Sequence, residues 1–70
     1  MEIRLIIAKK MKELRQDSQL TQNKISQILG VNRVSYNRYE NNEREIPIEI
    51  LCKLADYYEV SLDYLVGRED

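Results

Sequence analysis

The chain has 70 residues, of which 43% are hydrophobic and 33% charged, and its formal net charge is −1. This length allows one small domain, residues 1–70, and the composition is that of a globular protein rather than a disordered one. No apolar run approaches the roughly 20 residues that a membrane span needs, and the single cysteine has no partner for an internal disulfide. We therefore expect a cytoplasmic protein without a membrane partner.

The side chains that enzymes and metal sites depend on are scarce in this chain. It has no histidine, one cysteine and only two glycines, and its carboxylates fall in no spacing typical of a metal or acid–base site. We therefore expect neither an enzyme nor a bound cofactor or metal ion. The slightly acidic balance also disfavours a nonspecific nucleic-acid binder, for which a basic balance is usual.

Apolar residues recur at intervals of three and four along the chain, which predicts an all-α fold of five helices packed as a bundle. The predicted ranges are about 3–16, 22–29, 33–41, 48–58 and 62–66. Thr21, Asn32 and Ser61 are residue types that cap helix N-termini, and each stands directly before a predicted helix. Gly30 is expected to end the second helix in the left-handed conformation.

Two apolar stripes run along the fourth predicted helix. They are Ile48, Leu51, Ala55 and Tyr58 in one stripe, and Ile50, Leu54 and Tyr57 in the other. So broad an apolar face is typical of a helix with several packing partners. We expect this helix to be the most enclosed of the five.

Only Gly30, Val31 and Asn32 separate the second and third predicted helices. So short a turn forces the two helices to cross steeply, which is the geometry of a helix-turn-helix. Successive helical residues turn by about 100°, so that Tyr36 and Glu40 share the side of the third helix that faces the core. A carboxylate on this side needs a partner.

Arg15, at the end of the first predicted helix, is the candidate partner of Glu40. The alternative is that Glu40 lies at the rim of the core and stays hydrated.

The opposite face of the third helix carries no carboxylate. Its residues are Arg33, Val34, Asn37, Arg38 and Asn41. Arginine can pair with guanine, asparagine with adenine, and an exposed valine can touch the methyl group of thymine. A solvated polar helix would explain this face equally well, but the preceding helix and the tight turn favour recognition in a DNA major groove.

Together these residues resemble the phage-repressor and Cro type of helix-turn-helix, the XRE-like family of bacterial and phage regulators. The matching segments are residues 13–15, 20–22, 25–31, 38–41, 44–47 and 61–65. The resemblance covers about residues 7–67. It implies a lambda-repressor-like DNA-binding domain whose third helix is the recognition helix.

The resemblance also implies roles for single residues. Residues in the positions that read bases are Arg33, Val34, Asn37 and Arg38. Gln22 stands where the family's glutamine binds phosphate and braces the recognition helix, and Arg15 with Glu40 matches the family's internal salt bridge. Asn42 occupies a position where glycine is common, and asparagine tolerates left-handed geometry. The full set of expected phosphate contacts is Thr21, Gln22, Lys24, Asn32, Ser35, Asn42 and Arg44.

The sequence therefore predicts a DNA-binding transcriptional regulator, a repressor that binds a double-stranded operator. Since one short helix reads few base pairs, we expect a homodimer on a palindromic site, with no small-molecule effector. Two apolar surfaces are candidates for the dimer contact: Ile3, Leu5 and Ile6 in one, and Tyr57, Leu62, Tyr64 and Val66 in the other. The alternative function is a protein-interaction module, such as an antitoxin or adaptor, built on the same bundle.

Overall fold

The computed structural model describes residues 2–69, and within this range the chain forms helices and no strand. In chain order the helices are α1 (Ile3–Asp17), α2 (Gln22–Leu29), α3 (Arg33–Glu40), α4 (Ile48–Tyr58) and α5 (Leu62–Leu65). The predicted all-α class is confirmed, and each predicted helix end agrees with the structure to within one residue. None of the helices in the described range is both long and apolar enough to cross a membrane.

Three helices begin at the capping residues that the sequence predicted. The side chains of Thr21, Asn32 and Ser61 each accept a hydrogen bond from the backbone N–H three residues later, at 3.0, 2.7 and 3.0 Å. Each cap satisfies one of the N–H groups that the first turn of a helix leaves without an intrahelical partner.

The helices end in a common motif in which one residue adopts a left-handed conformation. Gly30 has a φ of 76° and Asn42 a φ of 58°, as expected for these residue types. Gln19 and Glu59 have φ values of 58° and 56°, which the sequence did not predict because neither side chain favours this region. In each case the next N–H donates to the carbonyl five residues earlier, at 2.8 to 3.0 Å. This hydrogen bond satisfies a carbonyl of the last helical turn and offsets the backbone strain.

The core is built from large side chains of all five helices. Its fully buried members are Met11, Ile25, Leu29, Tyr36, Leu54 and Leu65. The predicted inward side of α3 is confirmed, since Tyr36, Tyr39 and Glu40 are all buried. Leu20, Val31 and Val60, each directly after a left-handed residue, pack against the same core.

α4 is less enclosed than its two apolar stripes predicted. Leu51, Leu54 and Ala55 are buried, but Ile48 and Tyr57 are 60% and 44% exposed. The prediction that both stripes face neighbours is therefore wrong for these two side chains. A chain of this length has too few elements to cover an apolar helix on every side.

An ion pair joins the end of α1 to the end of α3. The Arg15 Nε and Nη2 atoms donate to the two carboxylate oxygens of Glu40, both at 2.9 Å, and Arg15 Nη1 donates to the Leu20 carbonyl at 3.0 Å. The Glu40 side chain is only 2% exposed and that of Arg15 only 14%. Glu40 therefore does not lie hydrated at the rim of the core. It pairs with Arg15, the partner that the sequence suggested.

The ion pair determines which form of Glu40 is stable. Burial alone would raise the pKa of Glu40, but hydrogen bonds from Arg15 and Gln22 and the charge of Arg15 outweigh burial and hold this pKa below its ordinary value of 4.5. The hydrogen bond and charge of Glu40 in turn raise the pKa of Arg15, against the effect of burial. Both side chains are therefore charged at neutral pH.

Two tyrosine hydroxyls lie near this ion pair. Burial raises the pKa of Tyr58 to about 12, and burial together with the neighbouring Glu40 raises the pKa of Tyr36 still further above its ordinary value of 10. Both phenols are therefore neutral at physiological pH. The two tyrosines therefore add no charge to the ion pair of Arg15 and Glu40 beneath α3.

Two leucine-sized side chains of α4 should differ sharply in their contribution to stability. Leu54→Ala removes a side chain with no solvent exposure, and we expect the free energy of unfolding to fall by about 2–5 kcal/mol. Ile48→Ala, on the same helix but 60% exposed, should change it by less than about 0.5 kcal/mol. Urea unfolding monitored by circular dichroism measures both, and equal losses would contradict this packing.

The contribution of Glu40 to stability should depend on pH. Because the folded state lowers its pKa, the stabilisation is present above the ordinary value of 4.5 and is lost as pH falls through the folded-state pKa. At pH 7, Glu40→Gln leaves Arg15 without its partner and should lower the free energy of unfolding by about 3 kcal/mol.

Urea unfolding of both proteins between pH 7 and pH 3 should show this difference shrinking below pH 4.5. Glu43→Gln, at an exposed position of the following loop, is the control and should have a small effect at every pH. A Glu40→Gln effect that stays constant down to pH 3 would show that the carboxylate charge does not stabilise the fold.

Candidate nucleic-acid interface

The turn between α2 and α3 determines where α3 lies. Gly30 ends α2, Val31 packs against the core, and Asn32 caps α3. Each of the three turn residues is therefore held by a structural contact. Lys53 of α4 donates to the carbonyl of Leu29 at 3.3 Å, which places a positive charge at the negative end of the α2 dipole. α2, the turn and α4 together hold the start of α3 in one position.

The four residues predicted to contact bases lie on one face of α3. Arg33, Val34 and Arg38 are exposed, and Asn37 is half-buried. Their spacings of three and four residues make them neighbours along the helix surface. Val34 is 56% exposed, although a valine gains nothing from contact with water. The only acidic residue of α3, Glu40, is turned into the core, so this face carries no negative charge.

The N-terminus of α2 provides groups that suit an anion. Thr21 and Lys24 are exposed there, and the first N–H groups of a helix have no intrahelical partner. These N–H groups and the positive end of the helix dipole attract negative charge. The Thr21 hydroxyl already accepts from the Lys24 N–H at 3.0 Å, which leaves its own O–H free to donate.

Two residues predicted to contact phosphate are in contact with each other. Arg44, in the loop after α3, donates from Nη1 to the Ser35 hydroxyl at 3.3 Å. Its guanidinium carbon also lies 5.9 Å from the centre of the Tyr39 ring, within the range of a cation–π interaction. Arg44 therefore lies against α3 instead of extending freely into solvent.

Arg4 takes part in this surface, although no pattern in the sequence indicated it. Its Nε donates to Asn42 Oδ1 and its Nη2 to the Asn42 carbonyl oxygen, both at 3.1 Å. These bonds hold Asn42 in its left-handed conformation and leave the Asn42 NH2 group as the free donor. The two residues are 38 positions apart, and no spacing within the sequence indicates such a pair.

Gln22 braces α3, which is one of the two roles that the family resemblance implied for it. Its Nε2 donates to Glu40 Oε1 at 3.2 Å, and its Oε1 accepts from Asn37 Nδ2 at 3.0 Å. The side chain of Gln22 therefore joins the start of α2 to two positions of α3. One N–H of its amide remains for a phosphate, since the NH2 group has two donors. The phosphate contact stays a prediction, whereas the bracing of α3 is present.

The profile of the helix-turn-helix family matches residues 11–65 of this chain. One relative is the uncharacterized HTH-type transcriptional regulator YobD of Bacillus subtilis (strain 168), with 33% identity over 61 residues. The match covers 87% of this chain but only 54% of YobD, so the chain spans about half the length of that relative.

Two solved structures have the same arrangement of helices. A transcriptional regulator from Listeria innocua superposes with a TM-score of 0.84 at 30% identity, over 91% of this chain and 60% of that one. The P22 c2 repressor protein, crystallised in complex with synthetic operator 9T, superposes with a TM-score of 0.81 over 90% and 96% of the two chains. Its identity of 24% supports the common fold alone. From the matched profile and the aligned relative, the chain belongs to the helix-turn-helix family, as its XRE-like sequence segments predicted.

Proposed function

We propose that this chain is a sequence-specific DNA-binding domain that regulates transcription, and that it places α3 in the major groove. The observation that carries the proposal is the exposed row Arg33, Val34, Asn37 and Arg38, fixed on a helix whose only carboxylate is buried. Relatives and structural neighbours named as transcriptional regulators support the same function. Repression follows most simply, because a protein on an operator blocks polymerase.

Each side chain of the row suits a particular base edge. Arg33 and Arg38 can donate two hydrogen bonds to guanine, and Asn37 can pair with adenine. Val34 offers an apolar surface of the size of a thymine methyl group. Each such pairing distinguishes the right base from the wrong one by roughly 1–3 kcal/mol.

A second group of residues would hold the phosphates on either side of the groove. We assign this role to Thr21, Gln22, Lys24, Asn32, Ser35, Asn42 and Arg44. The free N–H groups at the start of α2 and the contact between Arg44 and Ser35 support the assignment. Because Glu43 and Glu45 flank Arg44 in the sequence, few phosphates are neutralised, and binding should depend less on salt than for a strongly basic domain.

The proposal includes a homodimer acting in the cytoplasm on a palindromic operator, without a small-molecule effector. Two recognition helices about 34 Å apart read twice the number of base pairs, which genomic specificity requires. Exposed apolar side chains at two places could form the contact: Ile3 and Leu5 on α1, and Tyr57 with Leu62 at the junction of α4 and α5. Residues 1–70 would act as a single domain within the dimer.

Selection of bound DNA from random duplexes tests this function directly. We expect a palindromic consensus whose half-sites lie about one helical turn apart, with two chains per site in analytical ultracentrifugation. A failure to enrich any sequence would contradict sequence-specific binding. A single asymmetric half-site with one bound chain would leave DNA reading intact but contradict the homodimer.

Arg38→Ala should weaken binding to the selected site by roughly 1–3 kcal/mol and relax the base preference at one position, because a bidentate contact to guanine is lost. Arg68→Ala, which removes the same charge from an exposed position after α5, is the control and should bind almost as the wild type does. Fluorescence anisotropy on the selected site and on single-base variants measures both. Unchanged binding by Arg38→Ala would favour a protein-interaction module instead.

A further inference from the structure

A chain of hydrogen bonds runs from the buried carboxylate of Glu40 to the outer face of α3. Gln22 Nε2 donates to Glu40 Oε1 at 3.2 Å, Asn37 Nδ2 donates to Gln22 Oε1 at 3.0 Å, and Asn41 Nδ2 donates to Asn37 Oδ1 at 3.2 Å. We refer to the side chains of Gln22, Asn37 and Asn41 as the amide chain. It links the ion pair of Arg15 and Glu40 to a residue that we assign to base recognition.

The direction of the amide chain follows from the chemistry of its inner end. An ionised carboxylate can only accept hydrogen bonds, and a guanidinium can only donate them. With Arg15 bound to both oxygens of Glu40, Gln22 must turn its NH2 group towards Glu40 and its oxygen towards Asn37. Asn37 must then donate to Gln22. If the amide of Gln22 or of Asn37 were turned over, two donors or two acceptors would face each other. Because this place is partly buried, the hydrogen bond that is then missing is costly.

Asn37 keeps free bonding capacity at both ends of its amide. The NH2 group has two donors and the oxygen two lone pairs, and the amide chain uses one of each. The remaining N–H and lone pair are what a bidentate contact with adenine needs, since N7 of adenine accepts and its N6 amino group donates. An amide that is free to turn over exchanges its donor and acceptor and loses this selectivity.

We propose that Glu40 and Gln22 are positioning residues for base recognition, because through the amide chain they fix the direction of the Asn37 amide and so make Asn37 select adenine. The inference rests on the proposed function, since it requires α3 in a major groove. It gives the ion pair beneath α3 a second role: the charge of Glu40 contributes to which base is read at a position that Glu40 does not touch.

The test is the DNA selection repeated with variants of the amide chain. Asn37→Ala should remove the preference at one base pair per half-site and thereby identify the base pair that Asn37 reads. Gln22→Leu keeps the approximate size of the side chain but makes no hydrogen bond to Glu40 or Asn37. The amide of Asn37 can then turn over, and the adenine preference at that same base pair should fall by about tenfold. Gln27→Leu makes the same exchange at an exposed position of α2 and should reproduce the wild-type consensus.

The base preference separates positioning from other roles of Gln22. Loss of a phosphate contact or of stability weakens binding to all sequences alike. A Gln22→Leu protein that binds more weakly but keeps the wild-type preference at the Asn37 position would therefore overturn the proposal. Glu40→Gln is the second variant. Its amide can donate as well as accept, so it no longer fixes the direction of Gln22, and the base preference at the Asn37 position should weaken.

If Glu40→Gln is too unstable to fold, Gln22→Leu still tests the positioning role. Gln22 is only half-buried, and its replacement leaves no unpaired charge, so this variant should fold. A wild-type chain that selects no consensus would refute the proposed function itself. A wild-type consensus combined with no effect of Asn37→Ala would refute the positioning role and the assignment of Asn37 to a base, but not sequence-specific binding by α3.

Discussion

Glu40 is almost completely shielded from water, and an ionised carboxylate in such a place must be neutralised and hydrogen-bonded to be tolerated. Two hydrogen bonds from Arg15 meet this need only if the end of α1 lies against the end of α3. A third bond, from Gln22, requires the start of α2 at the same point. Three helices thus meet at one carboxylate, and their relative position is set by hydrogen-bond geometry as well as by apolar packing.

The same burial solves an electrostatic problem. The chain has 12 acidic residues and a net charge of −1, a balance that opposes contact with a polyanion. α3 contains only one of these acidic residues, Glu40, and its charge is directed inward and compensated by Arg15. The outer face of α3 is therefore positive in a protein that is negative as a whole. Where a net attraction is absent, recognition depends on hydrogen bonds and fit more than on bulk charge.

The features that could be predicted from the sequence are mainly those that depend on neighbouring residues. Helix ranges and caps followed from spacing, because each depends on residues close in sequence. The partner of Glu40 followed from the need of a buried carboxylate for a positive charge. The left-handed residues before Leu20 and Val60 were missed, although the order of an apolar residue and then a capping residue, as in Val31–Asn32, marks all three turns. The contact of Arg4 and the direction of the amide chain could not be predicted, since both depend on the packed structure.

α2 and α3 have eight residues each, well below the roughly 12–15 that an isolated helix needs to be stable in water. Neither helix keeps its shape without the contacts that the core provides. The surface assigned to DNA is therefore not a transferable segment but a property of the whole cooperative unit. If α1 opens, Arg15 leaves with it, and α3 loses its ion pair together with its orientation. Operator binding and folding would then be thermodynamically linked, so that DNA stabilises the domain and partial unfolding releases the operator.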